Sequence, residues 1–392
     1  MAVVPHLLLL LFLLFSHCPV SSANPEVECI TRPPRARAFF IPSECNTTLP
    51  EDQKKDFQGS KVVLLVPLLY LGAFILGLPA NLLALSVLIF RTKKFPSTIL
   101  LVNLTCCDLL LLLVLPFRIV YHFQGNHWAF GENFCRMVIA LFYGNIYGSV
   151  LCLTLIAVDR YVALVHPFGA KTFRSRKISV YMSLGVWIMV AIAAVPLLTS
   201  KQTYELQNLP VTTCHDVLPV SQQRSYFLPY FATLFVLCFL LPLVVILICY
   251  SAVIRTLVAA GNRYAHAMRV TLLVILVFVG CFLPSNVLLL LHYSEFYVMK
   301  DKSEPSMYLY VPYMISLAVS TYNSCIDPFI FYYVSEDFRQ KARKVLCLAP
   351  EHFESSSSGN HVSYSSGTSR SKVTLLSSRT ITGLIDSEAG KS

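Results

Sequence analysis

Residues 225–254 read SYFLPYFATLFVLCFLLPLVVILICYSAVI, a run of thirty positions without a charged side chain. About 20 apolar residues are enough for a helix to cross the hydrocarbon core of a bilayer, so this run predicts a membrane-spanning helix. Six further segments of similar length and character occur along the chain. The predicted spans are residues 62–90, 95–117, 137–158, 178–200, 225–254, 270–294 and 305–334.

The composition agrees with a membrane protein. Of the 392 residues, 55% are hydrophobic and 13% are charged, whereas an average soluble domain carries about 25% charged residues. This is too little polar material to cover a water-soluble globule of this size, which argues against a soluble enzyme. The net charge of +10 indicates membrane orientation in such a chain, and no nucleic-acid partner is predicted.

Residues 1–23 are predicted to be a signal peptide. Residues 7–15 form an apolar core that is too short for a span, and the small residues at 21–23 suit a cleavage site. An uncleaved anchor is the alternative, because the segment lacks a basic amino-terminal region. Removal of the signal would leave residues 24–61 as an extracellular segment. Seven crossings then place the carboxyl end in the cytoplasm.

The basic residues support this orientation, because they concentrate in the loops that it places inside. The predicted outer loops hold Lys201, Arg224, Lys300 and Lys302. The predicted inner loops and the region after the last span hold Arg91, Lys93, Lys94, Lys171, Arg174, Arg176, Lys177, Arg255, Arg263, Arg269, Arg339, Lys341, Arg343 and Lys344.

The chain after residue 334 divides into two parts. Residues 335–348 are basic and amphipathic, and we expect an eighth helix on the inner membrane surface. Cys347 at its end is a candidate for palmitoylation, and a free reduced cysteine is an equal alternative. Residues 349–392 are rich in Ser and Thr, and we expect a disordered tail.

The predicted fold class is therefore an all-α membrane protein. It comprises a seven-transmembrane helix bundle at residues 62–334, a short amphipathic eighth helix, an extracellular amino-terminal segment and a disordered cytoplasmic tail. Such a chain is expected in the plasma membrane as a multi-pass protein.

Four cysteines of the mature chain face the predicted oxidising side of the membrane. Cys135 ends the third span on the outside, and Cys214 lies in the long loop after the fourth. A disulfide between them would fix that loop over the mouth of the bundle. Cys29 and Cys45 remain to pair with each other or with a second molecule.

Two Asn-X-Thr sequences occur in the chain. The sequon at Asn46 lies in the extracellular segment and is a candidate glycosylation site. The one at Asn103 lies within a predicted span, where we expect no glycan.

Asp108 and Asp327 lie inside predicted spans, where a charged side chain costs about 2.5 to 3.5 kcal/mol and usually has a function. Together with polar residues of comparable depth they form an oxygen-rich site suited to an allosteric Na⁺ or a shared proton. A purely structural polar network is the alternative. No other cofactor or metal is expected. The polar residues concerned are Asn81, Ser149, Asn323 and Ser324.

The sequence Asp159-Arg160-Tyr161 ends the third predicted span on the inside. An arginine held by a neighbouring aspartate can be released to meet a cytoplasmic partner, which makes a switch. An Asp-Arg pair at a helix end is weak evidence when taken alone.

Several residues within or beside the spans together form a pattern that is known from a family of membrane proteins. It consists of Asn81, Asp108, Asp159-Arg160-Tyr161, Trp187, Pro242, Pro284, Asp327-Pro328 and the Cys135 and Cys214 pair. Combined with seven spans, the set resembles the rhodopsin-like G-protein-coupled receptors.

Local motifs narrow the resemblance. The outer-loop sequence Cys214-His215-Asp216-Val217-Leu218 occurs with LPFRIVYH at residues 115–122, LHYS at 291–294 and SCIDPF at 324–329. These motifs resemble the protease-activated receptors, and the likeness covers residues 60 to about 348.

Three departures from the family pattern concern the switch. Phe331 stands where a Tyr is usual, so a hydroxyl that helps to hold the active state is missing and Tyr332 or Tyr333 would have to replace it. Phe282 stands in place of a Trp. The chain also lacks a Glu near Tyr264 to pair with Arg160, so we expect Asp159 and packing to restrain that arginine.

The resemblance implies activation by a serine protease of the thrombin or trypsin type. Such a protease cuts the amino-terminal segment, and the new end folds back as a tethered ligand. Arg37 fits best, because the cut would expose Ala38, Phe39, Phe40, Ile41, Pro42 and Ser43. Arg35 follows a proline and is the second candidate, although it would expose Ala36 followed by a charged residue.

The resemblance also implies a site for that ligand and partners for the receptor. The amine of Ala38 needs an anion, for which Asp216 is the candidate, while His215, Tyr143 and Tyr313 would form aromatic walls. The implied partners are heterotrimeric G proteins of the q and 12/13 classes acting through phospholipase C and calcium, arrestin and receptor kinases at the tail serines, and membrane lipid.

Two other interpretations remain. A receptor of the same fold for a diffusible peptide or lipid would have a passive amino-terminal segment. An ion-coupled transporter could use Asp108 and Asp327, but the chain lacks the paired, interrupted repeats typical of that class. Catalytic residues are not predicted, because no nucleophile or phosphate-binding motif falls in a segment open to water.

Overall fold

The computed structural model describes residues 40–41, 47–49, 51–92, 95–167, 174–219, 222–261, 264–293 and 309–346. Within these residues the chain is mostly helical. The helices are α1 (Glu51–Phe57), α2 (Val66–Ser86), α3 (Pro96–Phe123), α4 (Glu132–Val165), α5 (Arg176–Thr199), α6 (Leu228–Leu234), α7 (Leu241–Ala259), α8 (Ala265–Tyr293), α9 (Tyr310–Ser320), α10 (Tyr322–Val334) and α11 (Glu336–Val345).

Some helices are prolonged by π-helical turns. Lys61–Leu65 leads into α2 and Val87–Arg91 prolongs it, while Gln223–Phe227 and Phe235–Leu240 flank α6 and join it to α7. Six continuous helical stretches of the described residues are thus long and apolar enough to cross a membrane.

The seventh predicted span is interrupted. Its residues form α9 and α10, of 11 and 13 residues, with Thr321 between them. The Thr321 hydroxyl donates to the carbonyl of Ala318 at 2.7 Å, and the Ser320 hydroxyl donates to Leu317 at 2.7 Å. Hydroxyl donors of this kind satisfy carbonyls that a broken helical turn leaves open inside a membrane protein.

Two helices extend well past their predicted ends. The second span was predicted at residues 95–117, and α3 continues to Phe123; the third was predicted at 137–158, and α4 runs from Glu132 to Val165. Hydropathy marks the part of a helix that matches the hydrocarbon core, whereas the helix itself continues into the polar boundary. Arg118 and Glu132 are helical residues that the shorter predictions left out.

Polar side chains join neighbouring helices in the core. Asn103 on α3 accepts a hydrogen bond from the indole of Trp187 at 2.9 Å and donates to the hydroxyl of Ser183 at 2.8 Å. Such bonds contribute to helix association where water is absent. Asn103 itself is buried within α3.

The outer surface of the bundle is apolar. Large side chains such as Ile75, Ile192, Ile248 and Leu276 are more than half exposed. Apolar patches of this extent are unusual on a soluble protein and match a surface in contact with lipid tails.

Short strands cover one end of the bundle. β2 (Thr203–Glu205) and β3 (Thr212–Cys214) form an antiparallel hairpin. β1 (Phe40–Ile41) pairs in parallel with β4 (Leu218–Pro219).

At the other end, α11 lies within the segment predicted as an eighth helix. Ser335 caps it by accepting from the N–H of Phe338, a residue buried against the bundle. The placement of α11 along a membrane surface stays a prediction.

Candidate functional site

The loop between α5 and α6 is attached to α4 at two points. Cys135 and Cys214 form a disulfide with a Cα–Cα distance of 5.9 Å, which confirms the predicted link. One turn earlier, the carboxylate of Glu132 accepts from the backbone N–H of Gln202 at 2.8 Å and of Thr203 at 2.7 Å. The hairpin is therefore held over the mouth of the bundle.

His215 follows the hairpin and points into the bundle. Its backbone adopts a positive φ of 68°, and its N–H donates to the carbonyl of Gln202 at 2.8 Å. Its ring lies between the Gln202 amide oxygen, 2.7 Å from Nδ1, and the Tyr293 hydroxyl, 3.0 Å from Nε2. Burial, aided by the charge of Arg118, lowers the pKa of His215 to about 3, so the ring is neutral at physiological pH.

Asp216 is buried beside a cation. The Nη2 atom of Arg118 lies 3.8 Å from Asp216 Oδ1, and the Tyr310 hydroxyl donates to Oδ2 at 3.5 Å. Burial raises the pKa of Asp216, while Arg118 and nearby hydroxyls act in the opposite direction. The carboxyl group is thus present at the mouth of the bundle, as predicted, but it already has a charged neighbour.

A small cavity brings the four predicted ligand-binding residues together. Tyr143 from α4, Tyr313 from α9, His215 and Asp216 all line it, as does Arg118. The hydroxyl oxygens of Tyr143 and Tyr313 are 2.6 Å apart, and the ring centroids of Tyr143 and His215 are 5.5 Å apart. One carboxylate among aromatic rings is an arrangement that can accept an amine and an aromatic side chain.

The segment predicted as tethered ligand is described only at β1. Phe40 is aligned with Leu218 and Ile41 with Pro219, so this part of the amino-terminal segment lies against the chain that follows Asp216. Several other predicted sites lie outside the described residues. These are Arg35, Ala36, Arg37, Ala38, Phe39, Pro42, Ser43, the glycosylation site Asn46, the cysteines Cys29 and Cys45, and Cys347.

The buried carboxylates occupy two hydrogen-bonded pairs. The hydroxyl of Ser149 donates to Asp108 Oδ1 at 3.4 Å, and the amide of Asn323 donates to Asp327 Oδ2 at 3.0 Å. Asn145, which the sequence reasoning missed, donates to Ser149 at 3.3 Å. Oδ2 of Asp108 is buried without a hydrogen-bond partner among the described residues, so an oxygen remains to bind a hard cation.

The predicted pairing at the inner end of α4 is wrong. Asp159 binds Arg174 instead of Arg160: its Oδ1 accepts from Nε at 2.8 Å and its Oδ2 from Nη2 at 3.4 Å. Adjacent residues of a helix do not face each other, so the carboxylate meets the arginine that precedes α5. Arg160 has no ion-pair partner in the part of the chain that the structure describes, and the Tyr161 hydroxyl lies 2.9 Å from His166 Nε2.

The structure also shows the surroundings of Phe331 and of the two tyrosines that would have to replace its missing hydroxyl. Phe331 is buried against Phe338 of α11, with a centroid distance of 6.3 Å. The Tyr332 hydroxyl accepts from Arg343 Nε at 3.2 Å, and Tyr333 is half exposed beside His266. Both tyrosines are therefore directed away from the position of the Phe331 ring.

Arg118 and Glu132 are site residues that were not predicted from the sequence. A signal for Arg118 was available, because a charge within an apolar run is the same feature that drew attention to Asp108. The predicted span ended one residue too early to include it. Glu132 gave no such signal, since an acidic residue in the first turn of a helix is common.

The arrangement is that of a helical membrane protein with a small cavity covered by a loop. Residues 80–331 match the family model for the 7 transmembrane receptor (rhodopsin family). The chain therefore belongs to this family and is a receptor, not an enzyme.

Curated relatives define the subgroup. Proteinase-activated receptor 4 of Mus musculus is 46% identical over 328 residues, which cover 84% of this chain and 81% of that receptor. Proteinase-activated receptor 4 of Homo sapiens is 46% identical over 297 residues, 75% of each chain. Proteinase-activated receptor 2 of Rattus norvegicus is 36% identical over 335 residues, 84% of this chain and 83% of that receptor. The chain is a member of the proteinase-activated receptors.

Proposed function

We propose that a serine protease of the thrombin or trypsin type activates this receptor by cutting after Arg37, and that the new amino-terminal segment is its tethered ligand. The names of the relatives support activation by a proteinase. The observation that carries the rest is the parallel pairing of Phe40 with Leu218 and of Ile41 with Pro219.

The register of that pairing favours Arg37 over Arg35. Leu218 lies two residues after Asp216, and Phe40 lies two residues after Ala38. If the register continues after the cut, the amine of Ala38 is level with Asp216. A cut after Arg35 would instead set Ala36 level with Cys214, whose sulfur is in a disulfide and offers no anion.

The cavity suits the chemistry of such a ligand. An α-amine has a reference pKa near 8 and is mainly charged at neutral pH, so a carboxylate is its natural partner. The rings of His215, Tyr143 and Tyr313 would receive Phe39. Because the ligand is part of the chain, its effective concentration is in the millimolar range for a short flexible tether, and a weakly binding peptide is sufficient.

Signalling would follow the pattern of the family. We propose coupling to G proteins of the q and 12/13 classes, phospholipase C and calcium, with arrestin and receptor kinases acting on the tail. The receptor would lie in the plasma membrane with residues 24–61 outside and the tail inside. Its signal peptide would be removed, Asn46 would carry a glycan, and palmitate on Cys347 would attach α11 to lipid.

We further propose that Na⁺ binds beside Asp108 as an allosteric ligand. The unpartnered Oδ2 of Asp108 and the Ser149 hydroxyl provide oxygens of the type that hard cations prefer. The ion would compensate the buried charge and favour one arrangement of the surrounding helices.

A paired set of variants tests the cleavage site. Cells expressing wild-type receptor, Arg37→Ala or Arg35→Ala are treated with thrombin or trypsin, calcium is recorded, and the new amino terminus is sequenced. We expect Arg37→Ala to abolish the response, Arg35→Ala to retain it, and sequencing to begin at Ala38. A synthetic peptide Ala-Phe-Phe-Ile-Pro-Ser should activate all three receptors.

The opposite pattern would refute the proposal. If Arg37→Ala responds like wild type and the peptide is silent, the ligand has been assigned wrongly. A double Arg35 and Arg37 variant that still responds to both proteases would favour a receptor whose amino-terminal segment is passive.

A further inference from the structure

The candidate anion of the ligand site has a resident cation. The side chains of Arg118 and Asp216 are only 3% and 2% exposed, and Nη2 lies 3.8 Å from Oδ1. Arg118 comes from α3, whereas Asp216 comes from the loop after α5. The disulfide and Glu132 help to bring the two charges together by holding that loop against the bundle.

The contact between the two charges is poor for a buried ion pair. Removal from water costs several kcal/mol per ion, and only close geometry with full hydrogen bonding compensates for it. At 3.8 Å the two atoms are beyond hydrogen-bond distance. The Nε and Nη1 atoms of Arg118 are buried without hydrogen-bond partners among the described residues.

The other groups around Asp216 are neutral. The Tyr310 hydroxyl from α9 donates to it, and His215 is neutral for the reason given above. The guanidinium rests on aromatic faces, with its carbon 5.5 Å from the ring centroid of Tyr121 and 5.6 Å from that of Phe142. Contacts of this kind stabilise a cation, so the arginine has a place to remain when it does not face a carboxylate.

We propose that Arg118 occupies, in the resting receptor, the position that the ligand's amine takes at Asp216, and that activation exchanges one cation for the other. The proposal rests on the proposed function, because the amine is that of Ala38. A compact ammonium can approach a carboxylate within hydrogen-bond distance, which Arg118 does not do here. The exchange would thus replace a loose contact with a close one and leave the guanidinium on the rings of Tyr121 and Phe142.

The exchange makes a specific prediction about the amine. For a peptide with a free amine and its N-acetylated form, the ratio of the two EC50 values measures what the amine contributes. Taking the ratio cancels effects on expression, coupling or contacts with the rest of the peptide. In Arg118→Gln no cation has to be displaced, so the free-amine advantage should rise about tenfold or more, since the Coulomb attraction between two opposite charges about 4 Å apart in a protein exceeds the free energy of that factor.

Two variants serve as matched controls in the same assay. Arg118→Lys keeps a competing cation, so the ratio should stay within about threefold of wild type. Arg91→Gln changes an exposed arginine in the π-helical turn that prolongs α2, away from the residues that line the cavity, and it should leave the ratio unchanged. A ratio in Arg118→Gln equal to or below the wild-type ratio would overturn the exchange.

Thermal stability without ligand tests the resting contact independently. Asp216→Asn leaves a buried guanidinium without its carboxylate and should lower the Tm of purified receptor, whereas Asp216→Asn with Arg118→Gln should recover most of the loss. Additive losses in the double variant would show that the two side chains are not paired at rest, which contradicts the proposal.

The two levels of failure can be told apart. A wild-type receptor that ignores the free peptide refutes the proposed function, and the exchange with it. A wild-type receptor that responds, with an unaltered ratio in Arg118→Gln, refutes the exchange alone.

Discussion

Removal of the Glu132 carboxylate is expected to release the outer loop from α4. The carboxylate accepts from two backbone N–H groups, those of Gln202 at 2.8 Å and Thr203 at 2.7 Å, and from the Thr203 hydroxyl. Hydrogen bonds to charged groups contribute about 1.5 to 3 kcal/mol each. Thr203 is partly exposed, so water can replace some of what is lost, and we take the low end for two bonds, about 3 kcal/mol.

That free energy corresponds to about a 150-fold change in the equilibrium between the docked and the released hairpin. The disulfide at Cys214 still restrains the loop, so we expect Glu132→Ala to lower amide protection at Gln202 and Thr203 about 10- to 100-fold. Glu132→Gln keeps one acceptor oxygen and should lose about half of the free energy. Peptide potency should fall in the same order, because the hairpin positions Asp216.

Hydrogen exchange followed by mass spectrometry measures the protection directly and requires no ligand. Glu205→Ala and Glu205→Gln are matched controls, since Glu205 is an exposed acidic residue at the end of β2 in the same loop. Less than a threefold change in Glu132→Ala, with the Glu205 variants equal to wild type, would refute the reasoning that this carboxylate holds the hairpin.

Three further predictions concern other parts of the molecule. Burial lowers the pKa of His215 to about 3, whereas a histidine in the unfolded chain titrates near 6.5. Between these two pH values the unfolded state binds a proton that the folded state does not. The free energy of unfolding therefore falls as the pH decreases below about 6.5, by at most about 1.4 kcal/mol per pH unit. In a plot of Tm against pH, His215→Asn should remove this contribution to the slope. The raised pKa of Asp216 contributes a slope of opposite sign, but it does so equally in wild type and in His215→Asn. Identical slopes in the two proteins would show that His215 does not cause the pH dependence. Arg174→Gln breaks a partly buried ion pair, worth about 1 kcal/mol, that joins the inner end of α4 to the residues before α5. If this link restrains the resting receptor, basal inositol phosphate should rise up to about fivefold at equal surface expression, and an unchanged basal level would exclude a restraining role. Replacing Na⁺ by K⁺ should change peptide potency about 3- to 10-fold in wild type and leave Asp108→Asn unaffected; a variant that responds like wild type would place the ion elsewhere.

The transmembrane architecture was accessible from sequence because each span is uniformly apolar over the thickness of a bilayer. The same criterion set the limits of the prediction. It ended the second span at residue 117 and so excluded Arg118, which is a buried residue of the same helix. It also could not detect the interruption at Thr321, since Thr is compatible with a buried helix and the break depends on local hydrogen bonds.

The bonding partners of individual side chains were harder to predict from the sequence than the places of those side chains in the fold. The four predicted residues of the cavity lie together, because the disulfide and Glu132 hold the loop that carries His215 and Asp216 over the helices that carry Tyr143 and Tyr313. The partner of Asp159 was wrong, because proximity in sequence is a poor guide to direction around a helix. The attachment of the hairpin to Glu132 could not be foreseen, since it involves backbone groups of a distant loop.

The pairing of β1 with β4 has a consequence for the speed of the response. A free tether would meet the loop within about 10 to 100 ns, but it would then have to find the correct strand register among the incorrect ones. With Phe40 and Ile41 already aligned on the loop, the newly formed end would have to move only locally. The delay between adding enzyme and seeing a signal should then scale inversely with enzyme concentration, with no further lag contributed by the receptor's own extracellular segment.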